Sequence, residues 1–484
     1  MLLRYFFDPK LAHASYLVAC QATGEAIIID PGRTVELYLE AARAEGVRII
    51  AATETHIHAD FVSGCRELAE RVGAKLYLSG EGGSEWQYRY LSGYRHRLLK
   101  DGDCWQIGNI KFEAMHTPGH TPEHMAFILT DTAAAVEPMG VFSGDFVFVG
   151  DVGRPDLLET AAGVKGAKEQ GAQALFQSLQ RFKQLPDYLQ IWPAHGAGSA
   201  CGKALGAVPS STIGYERRTN WAFQVAEESD FGATVLNGQP EPPRYFATMK
   251  RVNKEGPATL NGRPAPAWLP VEKIESLRQA GAAIMDTRSH LEFARGFVPG
   301  TFNNPITGRT FATYAGCFLT YDQPFYLIVD ETCLAQALLD LRRIGLDNIA
   351  GIFSPEIVTR WARQTGQGLG TIPQVTVAQM AEAIKTGQVP VIDVRGASEF
   401  AAGHLPHARN IGLGRVLDHL DEIPYDQPLL LQCLSGFRSS IAAGVLASRG
   451  WTRVMNLQGG YQAWGQAKQP VVHKEIELSI EEVM

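Results

Sequence analysis

RIIAATETHIHADF, residues 48–61, begins as an apolar run and ends in two histidines and an aspartate. Ile49 to Ala52 read as a buried strand, and His56, His58 and Asp60 as a loop loaded with metal-ligand chemistry at its end. On its N-terminal side, SYLVAC (15–20) and EAIIID (25–30) read as paired strands with a turn at Gly24, ended by Asp30-Pro31-Gly32. TVELYLEAARAE (34–45) places Val35, Leu37, Leu39 and Ala42 on an amphipathic helix, and Gly46 suits its C-terminal cap. Strand, helix, strand and loaded loop is the layout of an α/β domain whose chemistry sits beyond its strand ends.

Three further turns share this character: Thr117-Pro118-Gly119-His120-Thr121, Phe142-Ser143-Gly144-Asp145 and Pro193-Ala194-His195-Gly196. Each follows an apolar run, so strand ends can gather their imidazoles and carboxylates around one divalent first-row ion. A lone loop histidine would read as an ordinary polar residue; the ordered set, opened by histidines at i and i+2, reads as one site.

The chain has 484 residues, 45% hydrophobic and 20% charged, which is ordinary for soluble globular protein and predicts two to four domains at ~100–200 residues each. A net charge of −7 argues against nucleic acid or an anionic membrane surface as partner. The seven cysteines are widely spaced with no CxxC pair, which reads as a reducing compartment. Asp8 and Lys10 interrupt the apolar N-terminus, and no stretch approaches ~18 uninterrupted apolar residues, so a cytoplasmic location and no membrane span are expected. A homo-oligomer is compatible with the sequence.

A Pro/Gly-rich connector at 238–270 precedes an internal repeat. IMDTRSHLEFARGFVPGTFNNPI (284–306) and VIDVRGASEFAAGHLPHARNIGL (391–413) share Asp286/Asp393, Arg288/Arg395, Glu292/Glu399, Phe293/Phe400, Gly296/Gly403, Pro299/Pro406 and Asn303/Asn410 at a constant offset. Each continues into a second strand and helix, at 324–346 and 428–451. The expected domains are therefore 1–245, 263–365 and 373–470.

In the last of these, LLLQ (429–432) reads as a buried strand running into Cys433-Leu434-Ser435-Gly436-Phe437-Arg438-Ser439 and a helix. A cysteine there meets loop amides and a helix N-terminus, which favour thiolate and can cradle the outer sulfur of a persulfide. Arg438 adds a positive charge for an anionic donor or acceptor. A buried structural cysteine in a phosphate-binding loop is the plainer alternative; the five-residue step from Cys433 to Arg438 is one short of the tyrosine phosphatase loop. In the middle repeat Val329 falls opposite Cys433, and Cys333 sits in DETCLAQ without the glycine or arginine, so this copy is expected to be inactive.

The first 245 residues resemble the metallo-β-lactamase superfamily, with its HxHxDH loop, later GH, bridging aspartate and final histidine. The resemblance implies an αββα sandwich, followed here by two rhodanese-like α/β domains, since CxxGxR with NLQGGYQAWG (456–465) closely resembles rhodanese. Phe61 replaces the last histidine of HxHxDH, which in the family serves a second metal together with the residues matching Asp60 and His195. Its loss implies one metal per chain. The domain further resembles persulfide dioxygenases, which implies Fe(II), with zinc as the alternative, on His56, His120 and Asp145, and His58, Asp60 and His195 close by. Arg154 matches an arginine that contacts the glutathione moiety in that family, and Cys201, six residues after His195, either faces the site or is a small buried residue. The implied partners are persulfides such as glutathione persulfide, O2, sulfite and thiosulfate. A zinc thioester hydrolase with accessory rhodanese domains is the rival enzyme reading, and a sulfur carrier or sensor with a vestigial metal domain is the rival binding module.

Overall fold

Leu2–Asp8, His13–Cys20 and Glu25–Ile29 form antiparallel neighbours, with Tyr16 opposite Ile29. Arg48–Thr53, Lys75–Ser79 and His96–Leu99 extend this sheet in parallel to six strands. The expected helix forms at Glu36–Ala44, and Gly46 follows it with φ +66°, the left-handed conformation that favours glycine at a helix end. A second six-stranded sheet has the order Ser211–Thr212, Gln190–Pro193, Gly140–Gly144, Met125–Asp131, Ile110–His116, Cys104–Ile107.

These strands belong to a computed structural model, which describes residues 1–160, 166–203, 205–260 and 263–473. Val18, Ile27 and Ile29 of the first sheet pack on Phe112, Phe127 and Trp192 of the second. Burying each large apolar side chain contributes about 1.5–3 kcal/mol, and this seam is fully buried. Tyr38, Ala42 and Leu68 cover the outer face of the first sheet, and the helix Ala167–Phe182 covers the second with Leu175 and Leu179. The layers are therefore helix, sheet, sheet, helix, as the αββα reading expects. This unit comprises Met1–Pro264 with Leu339–Leu346, so it runs past residue 245. No described helix is long and apolar enough to cross a membrane.

The other unit comprises Ala265–Leu338 and Asp347–Met484 and holds two parallel sheets with one strand order. Phe302–Asn303, Ala283–Asp286, Phe325–Ile328 and Ile349–Phe353 correspond to Ala408–Asn410, Val391–Asp393, Leu429–Gln432 and Val454–Leu457, where Gln374–Val375 adds an edge strand. The repeated residues explain the likeness. Arg288 Nε lies 3.0 Å from both carboxylate oxygens of Asp286, and its Nη2 reaches the Gly296 carbonyl at 3.0 Å. Arg395 repeats this with Asp393 at 3.0 Å and Gly403 at 2.8 Å. Asn303 donates to the carbonyls of Asp286 and Arg288, as Asn410 does to those of Asp393 and Arg395. A buried aspartate needs such partners, so these residue types persist at that turn.

Candidate metal centre and cysteine loop

The strands Arg48–Thr53, Ile110–His116, Gly140–Gly144 and Gln190–Pro193 deliver their following loops to one edge of the sandwich. Backbone bonds join the sheets there: Met125 N–H donates to the Thr55 carbonyl at 2.7 Å, Ala14 N–H to the Ala194 carbonyl at 2.7 Å and Gly196 N–H to the Ala12 carbonyl at 3.1 Å. His56, His120 and Asp145 meet at that edge, all buried, with one ligand atom from each within 4.8 Å of the others. Nε2 of His120 lies 3.5 Å and Nε2 of His56 3.9 Å from Oδ2 of Asp145.

Each histidine is turned inward by a partner on its outer nitrogen. His120 Nδ1 donates to the Arg154 carbonyl at 3.0 Å, and His195 Nδ1 to the Ala12 carbonyl at 3.0 Å. His56 Nδ1 lies 3.0 Å from the Thr55 hydroxyl, which itself donates to Asp30. With Nδ1 protonated, Nε2 carries the lone pair a metal needs. Burial keeps His56 and His120 neutral, holding His120 down to about 3 with Lys250 adding to the effect. Burial lifts the Asp145 carboxyl to about 6, against the pull of His195. Both oxygens of Asp145 are buried without a hydrogen-bond partner, a costly arrangement that a bound cation relieves. Two imidazoles and this carboxylate fit Fe(II) by donor chemistry.

His58 belongs to a different arrangement. Burial alone would lower its pKa, but Asp30 at 3.1 Å from Nε2, with Glu54 and Asp60 behind, lifts it to about 9. Phe61 is buried with its ring centroid 3.8 Å from that of His13 and 4.3 Å from that of His58. An apolar ring thus fills the place where the superfamily motif has a ligand.

Asp60 and His195 stand on the other side of Asp145. His195 Nε2 lies 3.4 Å from Oδ2 of Asp60 and 3.4 Å from Oδ1 of Asp145. Cys201 faces this group: its sulfur lies within 4.8 Å of ligand atoms of Asp60 and His195, and burial pushes its thiol pKa well up. Arg154 is buried with its donors engaged inside the protein. Nε and Nη2 pair with Asp156 at 2.8 and 2.7 Å, and Nη1 reaches the carbonyls of Ala200 and Pro240 at 3.2 and 2.6 Å. A substrate contact by this guanidinium would have to displace one of those bonds. Gly153 beside it has no room for a side chain, because a Cβ would stand 1.8 Å from the Asp145 carbonyl oxygen.

Several supporting residues were not singled out from the sequence. Asp30 joins His58 to the Thr55 hydroxyl, and His124 Nε2 accepts the Asp145 amide at 3.1 Å. Asn253 donates to the carbonyls of His58 and Phe61, at 2.8 and 2.7 Å. Lys250, its Nζ 3.8 Å from the Trp86 ring centroid, sets a positive charge near His120; burial lowers its pKa to about 8 against the pull of Glu123. Asp30 ends the strand-like run IIID and His124 precedes the strand Met125–Asp131, so both could be suspected from the sequence; Asn253 carries no local signal.

In the other unit Cys433 is buried at the end of Leu429–Gln432, before the helix Phe437–Ser448. The Gly436 amide and the Ser439 hydroxyl point at its sulfur, at 3.2 and 3.4 Å. Gly436 has φ +92°, which turns Leu434, Ser435 and Gly436 into the helix. The GlyGly of NLQGGYQAWG has its own purpose: the Tyr461 and Gln462 amides hold the Cys433 and Leu434 carbonyls at 2.7 and 3.0 Å. Arg438 forms a two-pronged pair with Glu399, both bonds 2.7 Å, and Phe437 meets His290 edge-on at 5.1 Å. In the middle repeat the strand ends at Ile328, so Val329 does stand where Cys433 does, and the Asp330 carboxylate accepts the Thr332 amide at 2.9 Å. An aspartate thus occupies one amide at the start of that helix, and Cys333 lies half-buried on its first turn.

The metallo-beta-lactamase superfamily description matches residues 8–195, and the rhodanese-like domain description matches residues 376–467. The mitochondrial persulfide dioxygenase ETHE1 of Bos taurus is 30% identical over 198 residues, covering 40% of this chain and 68% of that protein. A probable metallo-hydrolase of Burkholderia pseudomallei is 29% identical over 250 residues, covering 46% of this chain and 80% of its own. A crystal structure of a metallo-beta-lactamase from Staphylococcus aureus is 44% identical, with a TM-score of 0.68, over 73% of this chain and 99% of that one.

Proposed function

The chain belongs to the metallo-β-lactamase superfamily and carries a rhodanese-like domain behind that fold, and from this premise we propose that it oxidises a low-molecular-weight persulfide and transfers sulfur. The observation that carries the reading is the trio His56, His120 and Asp145, with Phe61 closing the position of a further imidazole. We assign the oxidation to residues 1–245, the sulfur transfer to 373–470, and no catalysis to 263–365. The first reaction is RSSH + O2 + H2O giving RSH, sulfite and two protons, with glutathione persulfide as the type of substrate. His56, His120 and Asp145 would hold one Fe(II) per chain, which would supply the redox chemistry for a persulfide sulfur and O2.

The protein's own groups prepare that chemistry. Asp30, Thr55 and the Arg154 carbonyl hold the imidazoles in the ligating tautomer. Phe61 packs on His13 beside the trio, and both line a cavity of about 330 Å³. At Cys433 the Gly436 amide and Ser439 hydroxyl stabilise a sulfur that can take on a sulfane sulfur and pass it to sulfite, giving thiosulfate. Sulfide detoxification is the role that fits this pair of reactions. Seven free cysteines support a reducing compartment, the cytoplasm.

The test is metal analysis of protein purified without added metal, together with O2 uptake and sulfite release on glutathione persulfide. One iron per chain and stoichiometric O2 consumption are expected. Two zinc ions per chain and thioester hydrolysis without O2 uptake would overturn the reading.

A further inference from the structure

Arg438 is not a free charge at the Cys433 site. Its Nη1 and Nη2 are both taken by Glu399, at 2.7 Å each, which offsets the charge. The loop itself offers the Gly436 amide and the Ser439 hydroxyl, and both already point at the Cys433 sulfur. Sulfite and thiosulfate are anions whose oxygens need donors beyond these.

Such donors stand on the inactive repeat, in the same unit of the fold. Its helix His290–Arg295 packs on Phe437–Ser448, so closely that a Cβ on Gly444 would stand 3.0 Å from the Phe293 ring. A Cβ on Gly308 would likewise stand 3.3 Å from Cζ of Phe437. The helix Phe311–Phe318 packs on Leu413–Asp418, which in turn packs on Phe437–Ser448. Three polar side chains come with these contacts. His290 meets Phe437 edge-on with ring centroids 5.1 Å apart, and its ring nitrogens make no hydrogen bond among the described residues. Burial holds this imidazole below its ordinary range, so near neutrality it is an uncharged N–H donor. Burial raises the Tyr314 phenol to about 12, with Arg438 pulling it down and Cys433 pushing it up, so the hydroxyl keeps its proton in reach of both charges. Arg309, next to Gly308, is exposed, and its guanidinium makes no ion pair or hydrogen bond among the described residues.

We propose that the inactive repeat supplies the oxyanion-binding wall of the Cys433 site: His290, Arg309 and Tyr314 hold the oxygens of sulfite or thiosulfate while Cys433 handles the sulfur. The ligand class rests on the reading of Cys433 as a sulfur carrier. Sulfite held at this wall attacks the outer sulfur of the Cys433 persulfide. The S–S bond to Cys433 breaks, the S–S bond of thiosulfate forms, and the electron pair of the broken bond stays on Cys433 as thiolate, so no outside oxidant or reductant is needed. The middle repeat binds without reacting, which fits the valine at position 329 where the other copy has its nucleophile.

The experiment alkylates the full-length protein with iodoacetate, an anion, and with iodoacetamide, its neutral counterpart, and follows the Cys433 peptide by mass spectrometry. Relative to free N-acetylcysteine amide, Cys433 should prefer iodoacetate by at least ~10-fold. His290→Leu, Arg309→Ala and Tyr314→Phe should each cut that preference, and the last two together should cut it about 10-fold, with the iodoacetamide rate as in the parent. Arg309→Lys should keep most of it. In transfer from thiosulfate to cyanide the same variants should raise KM and spare kcat. A parent without the preference, a preference untouched by the three variants, or variants that slow both reagents alike, as a purely structural role would, would each overturn the proposal. Alkylation needs no turnover. A parent that prefers iodoacetate yet passes no sulfur to cyanide would therefore sink the sulfur-transfer reading while supporting the wall.

Discussion

The main-chain carbonyl of Arg154 accepts the Nδ1 proton of His120 at 3.0 Å, while the guanidinium of the same residue holds the Ala200 carbonyl next to Cys201. One residue therefore fixes the angle of the His120 imidazole and the position of the loop that carries the Cys201 thiol.

Arg154→Ala should release both. The carbonyl remains, but the turn loses its anchors at Asp156, Ala200 and Pro240. Iron affinity should fall about 10–100-fold, the range for losing an outer partner of a metal ligand. Alkylation of Cys201 should quicken. Iron retention during chelator dialysis and peptide-level alkylation measure the two. Wild-type values for both, with only the KM for persulfide raised, would place the arginine on the substrate.

Thr55→Val removes one hydroxyl at nearly constant volume. His56 Nδ1 then loses its acceptor and Asp30 loses a donor, both buried. The expected cost is about 1–3 kcal/mol of stability, with weaker iron binding. Denaturation of the iron-free and iron-loaded proteins measures it; an unchanged midpoint in both would show that the Thr55 hydroxyl does not orient His56.

Cys433→Ser should stop sulfur transfer to cyanide, since a hydroxyl cannot carry sulfane sulfur. O2 consumption should continue, because the candidate metal trio His56, His120 and Asp145 is untouched. Sulfite should then accumulate where the parent yields thiosulfate, after correction for the spontaneous reaction of sulfite with persulfide. An equal thiosulfate yield would show the reactions uncoupled. Residual transfer would implicate Cys333 and contradict an inactive middle copy.

The pair Glu399–Arg438 should give a pH-dependent contribution. Burial raises the Glu399 carboxyl, but Arg438 outweighs it and leaves the group below the usual range. A carboxyl lowered on folding stabilises above its unfolded pKa of about 4.3 and loses that as pH falls through the folded value. For a half-exposed pair about 1 kcal/mol is expected. Glu399→Gln should therefore speed hydrogen exchange in the helix Phe437–Ser448 at pH 7, and the difference from the parent should shrink toward pH 3. A difference independent of pH would assign the effect to packing.

Strand ends and the residues they carry were legible because apolar periodicity fixes where a strand stops. His56, His120 and Asp145 converge for that reason, and Cys433 sits at its strand end for the same one. Side-chain partners were not legible. Arg154 and Arg438 looked like free charges for substrate, yet each is spent on a carboxylate, Asp156 and Glu399, that spacing alone does not pair with it. Cys201 is buried, and its sulfur lies within 4.8 Å of ligand atoms of Asp60 and His195, a placement that spacing alone does not show.

The repeated turn of Asp286 with Arg288, and of Asp393 with Arg395, is held by hydrogen bonds among its own residues. A duplicated copy can therefore change the loop after its third strand under drift while its scaffold stays under selection. The two copies differ in the loop at Val329 to Thr332, so grafting a reactive loop there would not require a new fold to evolve.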